Sequence, residues 1–272
     1  MSEQAVNIPH GDGWLAADLN VNGDHAVIFL PGWSGTRYGP QRILLQAAEA
    51  CAKHSFTTLR LDYGGRGDSS EVNEVTLDGM ISNAMAAITW LREKYQVQQI
   101  SLVGLCSGGN VALGVASLDE NINNVICWSL LPFMEDKGKA TRQGTPRKAM
   151  VAQYLRKIFT LQTWRKLFHG ELNVKGAQDS LVKDKEGDQE EQQHKTSKRV
   201  IMSALAGYRG KVFLIYGSRD PEATGARSFY TTWFKQHEVE VAAHTVENAP
   251  HNFYTAEWTA EVITQTVNWL VD

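Results

Sequence analysis

Two periodicities of hydrophobic residues alternate along the chain, one typical of strands and the other typical of helices. Short apolar runs predict strands at Trp14–Asn20, His25–Leu30, Phe56–Leu61, Ile100–Leu105, Asn124–Leu131, Lys211–Tyr216 and Val239–Val246. Apolar residues three or four positions apart predict helices at Tyr38–Lys53, Thr76–Tyr95, Asn110–Leu118, Glu222–Lys235 and Ala256–Leu270. Strands that alternate with helices form a mostly parallel sheet with helices on both faces, so the sequence predicts an α/β fold.

The alternation stops between residues 132 and 210. Within this interval Lys183–Arg199 contains no apolar aliphatic or aromatic residue, which predicts a solvated loop. The segment Met150–Phe168 instead has an apolar helical face, and its aromatic residues include Tyr154 and Phe159. We interpret it as a lid helix over a substrate pocket that these two residues line; a helix lying on a membrane surface is the alternative. The predicted organisation is a core formed by residues 1–131 and 211–272, with a helical cap at 132–210.

Composition and charge exclude several classes of protein. The chain has 272 residues and a net charge of −3, which gives no electrostatic basis for binding nucleic acid. Three cysteines in a chain of this length favour a reducing compartment over a disulfide framework. No apolar run approaches the roughly 20 residues of a spanning helix, and the first residues do not resemble a secretory signal. We therefore expect a cytoplasmic protein without stable membrane insertion, whose oligomeric state the sequence leaves open.

One predicted strand-to-helix turn contains a candidate nucleophile. It is the segment Gly104-Leu105-Cys106-Ser107-Gly108, which precedes a helix of small residues. Cys106 has a glycine two positions away on each side, whereas Ser107 has the branched Leu105 on one side. Small residues at those positions leave room for a strained backbone at the nucleophile. The pattern resembles the nucleophile elbow of α/β-hydrolases with cysteine in place of serine; a buried core cysteine on a tight turn is the alternative.

This resemblance implies a chain order of nucleophile, acid and base. Asp220 follows the predicted strand Lys211–Tyr216 directly, although an aspartate there also fits a turn or a helix N-cap. Glu247 is the second candidate for the acid. Of eight histidines, only His251 has the right order and lies in the loop between the last predicted strand and the last predicted helix. We therefore predict that Cys106, Asp220 and His251 form one catalytic set.

Two backbone N–H groups are candidates for stabilising an oxyanion. The N–H of Ser107 lies at the N-terminus of the helix after the turn, which also stabilises a thiolate. The second candidate is the N–H of Trp33, in the glycine-rich segment Pro31-Gly32-Trp33-Ser34-Gly35 after the strand His25–Leu30. We also expect the Trp33 indole to line the acyl pocket. A plain tight turn after a buried strand is the alternative for this segment.

A further loop supports the family resemblance. The segment Asp62-Tyr63-Gly64-Gly65-Arg66-Gly67-Asp68-Ser69 is similar to the D-x-R-G-x-G-x-S loop of α/β-hydrolases, but Gly64 stands where the family has arginine. The packing that this arginine supports is therefore expected to differ, and we interpret Asp62, Arg66 and Asp68 as structural.

Three stretches resemble, more narrowly, the hydrolases associated with the exosortase A system of bacterial exopolysaccharide gene clusters. They are Gly35–Arg42, the Gly-Leu-Cys elbow and Tyr154–Leu172. This narrower resemblance implies a cysteine-type hydrolase of undefined substrate.

The residues together predict an enzyme that cleaves an ester or thioester through an acyl-cysteine. The substrate is expected to be a small-molecule or carrier-bound acyl group, and neither a metal nor an organic cofactor is needed. Acyl transfer to an amine or alcohol uses the same intermediate, and the sequence does not separate it from hydrolysis. A non-catalytic binding protein on the same fold is the third hypothesis, and the complete set of three residues argues against it.

Overall fold

The computed structural model describes residues 3–70, 75–132, 197–223 and 225–272. Eight strands in these ranges form one sheet in the order β1-β2-β4-β3-β5-β6-β7-β8. They are β1 (Gln4–His10), β2 (Gly13–Asn20), β3 (His25–Leu30), β4 (Thr57–Leu61), β5 (Gln99–Leu105), β6 (Ile122–Trp128), β7 (Lys211–Gly217) and β8 (Val241–Val246). The pairs β1–β2 and β2–β4 are antiparallel, and every other pair is parallel. The predicted mostly parallel sheet is confirmed.

Helices cover both faces of the sheet. They are α1 (Ile43–Lys53), α2 (Leu77–Tyr95), α3 (Ser107–Ala116), α4 (Ile201–Leu205), α5 (Ala226–Gln236) and α6 (Ala256–Val271). Buried residues of α2, α3, α4 and α5 join one hydrophobic cluster, whereas those of α1 and α6 join a second cluster on the opposite face. The carboxyl ends of the six parallel strands therefore open along one edge between the two layers of helices.

Three of the differences between the predicted and the observed elements have a clear local reason. Strand β1 was not predicted because it is an edge strand in which only Ile8 is fully buried. Helix α1 begins at Ile43 rather than Tyr38, because Gln41 and Arg42 have positive φ angles of 47° and 61°. Helix α5 begins at Ala226, after a turn in which Asp220 accepts backbone hydrogen bonds.

Most of the predicted cap, with Tyr154 and Phe159, lies outside the described residues. The final part of the 132–210 interval is described, and it packs on the core. Ile201 and Leu205 are fully buried in the same cluster as α2 and α3. Just before them, Ser197 donates a hydrogen bond of 2.5 Å to Asp78 at the start of α2. The described chain is thus already part of the core about a dozen residues before β7 begins.

A buried ionic cluster stabilises the antiparallel side of the sheet. Arg37, from the loop after β3, makes ion pairs with Asp18 at 2.9 Å and Asp68 at 2.8 Å, and also with the fully buried Asp62. Gly64 stands where similar loops have an arginine, so the positive charge for these aspartates comes from a different loop. Asp62 and Asp68 thus have the structural role expected of them.

Candidate active site

The strand-to-helix turn at Cys106 has the strained geometry expected of a nucleophile elbow. Strand β5 ends at Leu105 and α3 begins at Ser107, so Cys106 is the single residue between them. Its φ is 56° and its ψ is −122°, a backbone conformation that residues other than glycine rarely adopt. The backbone holds it there, because the Cys106 N–H donates to the Trp128 carbonyl oxygen at 2.8 Å and the Gly109 N–H donates to the Cys106 carbonyl oxygen at 3.0 Å.

The two glycines flanking Cys106 allow close backbone contacts. A Cβ added to Gly104 would lie 2.3 Å from the backbone of Gly108. A Cβ added to Gly108 would lie 2.2 Å from the carbonyl oxygen of Leu30, at the end of β3. Neither contact is possible for a side-chain carbon, so the predicted need for small residues on both sides is confirmed.

The environment of Cys106 differs from that of the other two cysteines. Cys51 and Cys127 are fully buried in the hydrophobic clusters, whereas Cys106 is half-buried. Burial raises the pKa of the Cys51 thiol to about 12, and it also raises the pKa of the Cys127 thiol. A core role therefore fits Cys51 and Cys127. The neighbouring Ser107 has its hydroxyl buried, so Cys106 has the more accessible side chain of the two candidates for the nucleophile.

Asp220 and His251 meet at the carboxyl edge of the sheet. Nδ1 of His251 is hydrogen-bonded to Oδ2 of Asp220 at 2.8 Å. The other carboxylate oxygen accepts hydrogen bonds from the backbone N–H groups of Glu222 at 3.0 Å and Ala223 at 3.2 Å. The Asp220 side chain is 1% exposed and thus firmly held. Glu247 is exposed and has no hydrogen bond to His251 in the described part of the chain, so the acid that the structure brings to His251 is Asp220.

The contacts of this pair determine its protonation. Burial raises the pKa of Asp220, but its contacts with His251, with the Ser129 hydroxyl and with the Ala223 N–H together outweigh burial, and the pKa lies below its usual value. Burial likewise lowers the pKa of His251, but its contacts with Asp220 and Cys106 raise the pKa to about 10. Since Nδ1 is bonded to Asp220, Nε2 is the ring nitrogen left for the thiol. His251 therefore interacts with Asp220 through Nδ1 and also with the Cys106 thiol.

The glycine-rich loop after β3 lies directly beside the turn. A Cβ added to Gly32 would be 3.4 Å from Cβ of Cys106 and 3.4 Å from the carbonyl oxygen of Leu105. The loop is closed by a hydrogen bond of 2.9 Å from the Gly35 N–H to the Gly32 carbonyl oxygen. Trp33 is half-buried against the core in this loop, and Ser107 provides the first N–H of α3. Both predicted oxyanion donors therefore belong to segments that adjoin Cys106.

Ser129 is a residue of this site that the sequence analysis did not single out. It follows β6 directly, is fully buried and has a φ of 49°. Its hydroxyl donates a hydrogen bond of 2.8 Å to the carbonyl oxygen of His251. The same hydroxyl contacts the carboxylate of Asp220 and contributes to the lowering of its pKa. The only signal in the sequence was a serine near the end of an apolar run. The predicted strand Asn124–Leu131 included this serine, whereas β6 ends at Trp128.

Two further observations on the described ranges concern metal ions and membranes. No group of three or more histidine, cysteine or acidic residues there is arranged to hold a metal ion. None of the helices in those ranges is long and apolar enough to cross a membrane.

Comparison with known proteins gives one partial relative. Polyketide transferase grgF from Penicillium sp. is 30% identical over 122 residues, which span 43% of this chain and 40% of that protein. The matched region is thus less than half of the relative's length.

Solved structures and a family model identify the fold family. The esterase Pf2001 of Pyrococcus furiosus has 20% identity and a TM-score of 0.67 over 99% of this chain and 90% of its own. Dienelactone hydrolase from Anabaena variabilis has 15% identity and a TM-score of 0.63, covering 99% of this chain and 97% of its own. At such identities the likeness concerns the fold alone. The family model of the alpha/beta hydrolase fold matches residues 25–251, a range that contains all three members of the candidate set. Because this match spans most of the chain, the protein belongs to the α/β-hydrolase family.

Proposed function

We propose that the protein is a hydrolase that cleaves an ester or thioester through an acyl-cysteine intermediate on Cys106. The observation that carries the proposal is the contact chain from Cys106 through His251 to Asp220. A half-buried thiol at a strained turn, beside an imidazole held by a buried carboxylate, has the arrangement required for nucleophilic catalysis. The expected substrate is a small-molecule or carrier-bound acyl group.

Acylation follows from the protonation of the pair. With its pKa near 10, His251 is an imidazolium at neutral pH and is paired with the Cys106 thiolate in the reactive form. The thiolate sulfur attacks the carbonyl carbon of the substrate. The oxyanion that forms accepts hydrogen bonds from the N–H groups of Ser107 and Trp33, and each such donor typically contributes about 10²–10³ in rate. As the tetrahedral intermediate collapses, the leaving oxygen or sulfur takes the proton from His251.

Deacylation reverses the roles. Neutral His251 now removes a proton from water, and the water oxygen attacks the acyl-cysteine carbonyl. Collapse of this second intermediate releases the carboxylic acid and restores the thiolate–imidazolium pair. Asp220 keeps Nδ1 protonated throughout, so that Nε2 exchanges protons with the reacting groups.

Acyl transfer is the second candidate, and one observation favours it. The curated relative is a transferase by name, and it shares 30% identity over 122 residues. An amine or alcohol that attacks the acyl-cysteine in place of water gives transfer with no change in the first half of the reaction. The cap proposed at residues 132–210 would favour acyl transfer by keeping water away from the acyl-cysteine. The exosortase-associated resemblance is compatible with either reaction.

Turnover of a panel of p-nitrophenyl esters and acyl thioesters tests the proposal. Wild-type protein, Cys106→Ala and Ser107→Ala should be assayed with and without an added amine or alcohol acceptor. We expect Cys106→Ala to lose turnover and Ser107→Ala to keep most of it, because only the backbone N–H of Ser107 is used. Product that appears only with the acceptor identifies a transferase. Loss of turnover in Ser107→Ala but not in Cys106→Ala would overturn the assignment.

A further inference from the structure

Arg66 differs from the other shielded arginines of the described ranges. Four arginines there are buried or half-buried, namely Arg37, Arg60, Arg66 and Arg92. Arg37 pairs with carboxylates as described above, Arg60 lies 2.7 Å from Glu3 and 2.8 Å from Asp18, and Arg92 lies 2.6 Å from Asp119. Arg66 has no carboxylate partner within those ranges. The nearby acidic residue in its own loop, Asp68, pairs with Arg37 instead.

Within the described ranges, the charge of Arg66 has no carboxylate to balance it. Its Nε atom is buried and has no hydrogen-bond partner, and burial lowers its pKa. Tyr63 is fully buried, and its hydroxyl also lacks a partner although it is close enough to Arg66 for the two groups to interact electrostatically. Burying a charged group and a hydroxyl without partners is unfavourable, so a third group is expected to satisfy them.

The position of Arg66 connects it to the candidate active site. Its guanidinium lies over the indole ring of Trp33, 5.2 Å from the ring centroid. Trp33 follows Gly32, which adjoins Cys106. The Arg66 loop follows β4, and the Trp33 loop follows the neighbouring parallel strand β3, so both leave the same edge of the sheet. Arg66 and Trp33 therefore lie in loops at the same edge of the sheet as Cys106.

We propose that Arg66, stacked on Trp33, binds an anionic group of the acyl substrate. A guanidinium on an aromatic face presents a planar set of donors that suits a carboxylate or a phosphate. The anion would come either from a carboxylate on the acyl chain or from a phosphate on the acyl carrier. This assignment rests on the proposed function only for the identity of the substrate, since anion binding itself does not require turnover. It goes beyond the structural role that the sequence suggested for Arg66.

Two matched pairs of substrates test the proposal and separate the two sources of the anion. The first pair is the p-nitrophenyl monoester of glutarate against p-nitrophenyl valerate, which differ in a terminal carboxylate. The second pair is butyryl-coenzyme A against S-butyrylpantetheine, which keeps the pantetheine arm but lacks the 3′-phosphoadenosine diphosphate and with it every phosphate of the carrier. The quantity measured is the ratio of kcat/KM for the anionic over the neutral member of each pair. Arg66→Gln should lower this ratio about tenfold for one pair, the size of one charge-assisted hydrogen bond.

The control variant is Arg209→Gln, which makes the same change of charge on an exposed residue just before β7, at the opposite edge of the sheet. It should leave both ratios unchanged. Ratios that are equal in wild type and Arg66→Gln for both pairs would overturn the anion site while the proposed function stands. Equal lowering in the Arg209→Gln control would overturn it as well, because the effect would then be one of net charge.

A binding measurement keeps the test independent of catalysis. Thermal unfolding is followed with glutarate or inorganic phosphate present, since a ligand that binds the folded state raises Tm. Wild-type protein should be stabilised by one of these anions, and Arg66→Gln should lose that stabilisation. If this occurs while none of the four substrates is turned over, the anion site stands and the proposed function fails. If neither anion raises the Tm of the wild type more than that of Arg66→Gln, and no ratio changes, the site is refuted.

Discussion

Replacing Ser129 with alanine and with glycine separates its hydroxyl from its backbone strain. Both variants remove the hydroxyl that donates to the His251 carbonyl oxygen at 2.8 Å and contacts Asp220. A buried acceptor left without its donor costs about 1–3 kcal/mol in unfolding free energy. Only glycine also relieves the φ of 49°, a conformation that costs about 1–2 kcal/mol in a residue with a Cβ.

The expected stabilities follow from these contributions. Ser129→Ala should lower the free energy of unfolding by about 2 kcal/mol, from the lost hydrogen bond alone. Ser129→Gly loses the same bond but also relieves the backbone strain. Glycine has greater freedom in the unfolded chain, which offsets part of this gain, so Ser129→Gly should be about 0.5–1 kcal/mol more stable than Ser129→Ala. Urea denaturation at neutral pH measures both differences.

Activity should not follow stability. Both variants release the His251 loop and the Asp220 carboxylate equally, so we expect a similar loss in kcat/KM of about tenfold, the equivalent of one hydrogen bond. The hydroxyl contributes to the lowering of the Asp220 pKa, so its removal raises that pKa. The acid limb of the pH–rate profile should therefore move to higher pH in both variants. Ser129→Thr, which keeps a hydroxyl, should restore the limb.

Two results would refute this reasoning. If Ser129→Gly regained activity in proportion to its stability, Ser129 would act through the fold and not through Asp220 and His251. If both variants kept the wild-type acid limb, the contact between the hydroxyl and the Asp220 carboxylate would have no functional consequence.

Three further predictions concern pH and stability. Loss of the His251 proton should produce an alkaline limb in kcat/KM near pH 10. The stability that protonated His251 contributes should be complete below pH 6.5 and should be lost as the pH rises through about 10. An alkaline limb centred near pH 6.5 would contradict the ion pair. Gly108→Ala places a Cβ 2.2 Å from the Leu30 carbonyl oxygen and should strongly lower the Tm, measured by circular dichroism. Gly207→Ala, whose added Cβ has no heavy atom within 4 Å, should leave the Tm nearly unchanged. Arg37→Met leaves the fully buried Asp62 without its ion-pair partner, while Asp18 keeps Arg60, and should cost about 3–5 kcal/mol in urea denaturation. A loss below about 1 kcal/mol, typical of exposed ion pairs, would contradict the buried cluster.

The fold and the three central residues could be predicted because their signals are local in the sequence. The strands and helices of an α/β sheet each show their own hydrophobic period, and the elbow needs glycines at fixed distances from Cys106. Chain order then restricted the base to His251. The position of Asp220 directly after a predicted strand favoured it as the acid, with Glu247 as the second candidate, and the folded backbone brings Asp220 to the imidazole.

Other features of the site and its surroundings depend on contacts between distant segments. Ser129 acts through His251, 122 positions further along the chain. Arg37 neutralises Asp18 and Asp62, which lie 19 and 25 positions away on other elements. Arg66 differs from the other arginines because Asp68, the acidic residue of its own loop, pairs with Arg37. None of these pairings has a period or a spacing that a single sequence can reveal.

The most direct test of the central claim is mass spectrometry of the protein after brief exposure to an activated acyl ester, followed by peptide mapping. We predict an adduct of one acyl group, carried on the peptide containing Cys106 and removed by neutral hydroxylamine as expected for a thioester. Cys106→Ala should form no adduct, and the His251→Ala variant should form it much more slowly. An adduct that persists in Cys106→Ala, or that maps to Ser107, would contradict the account.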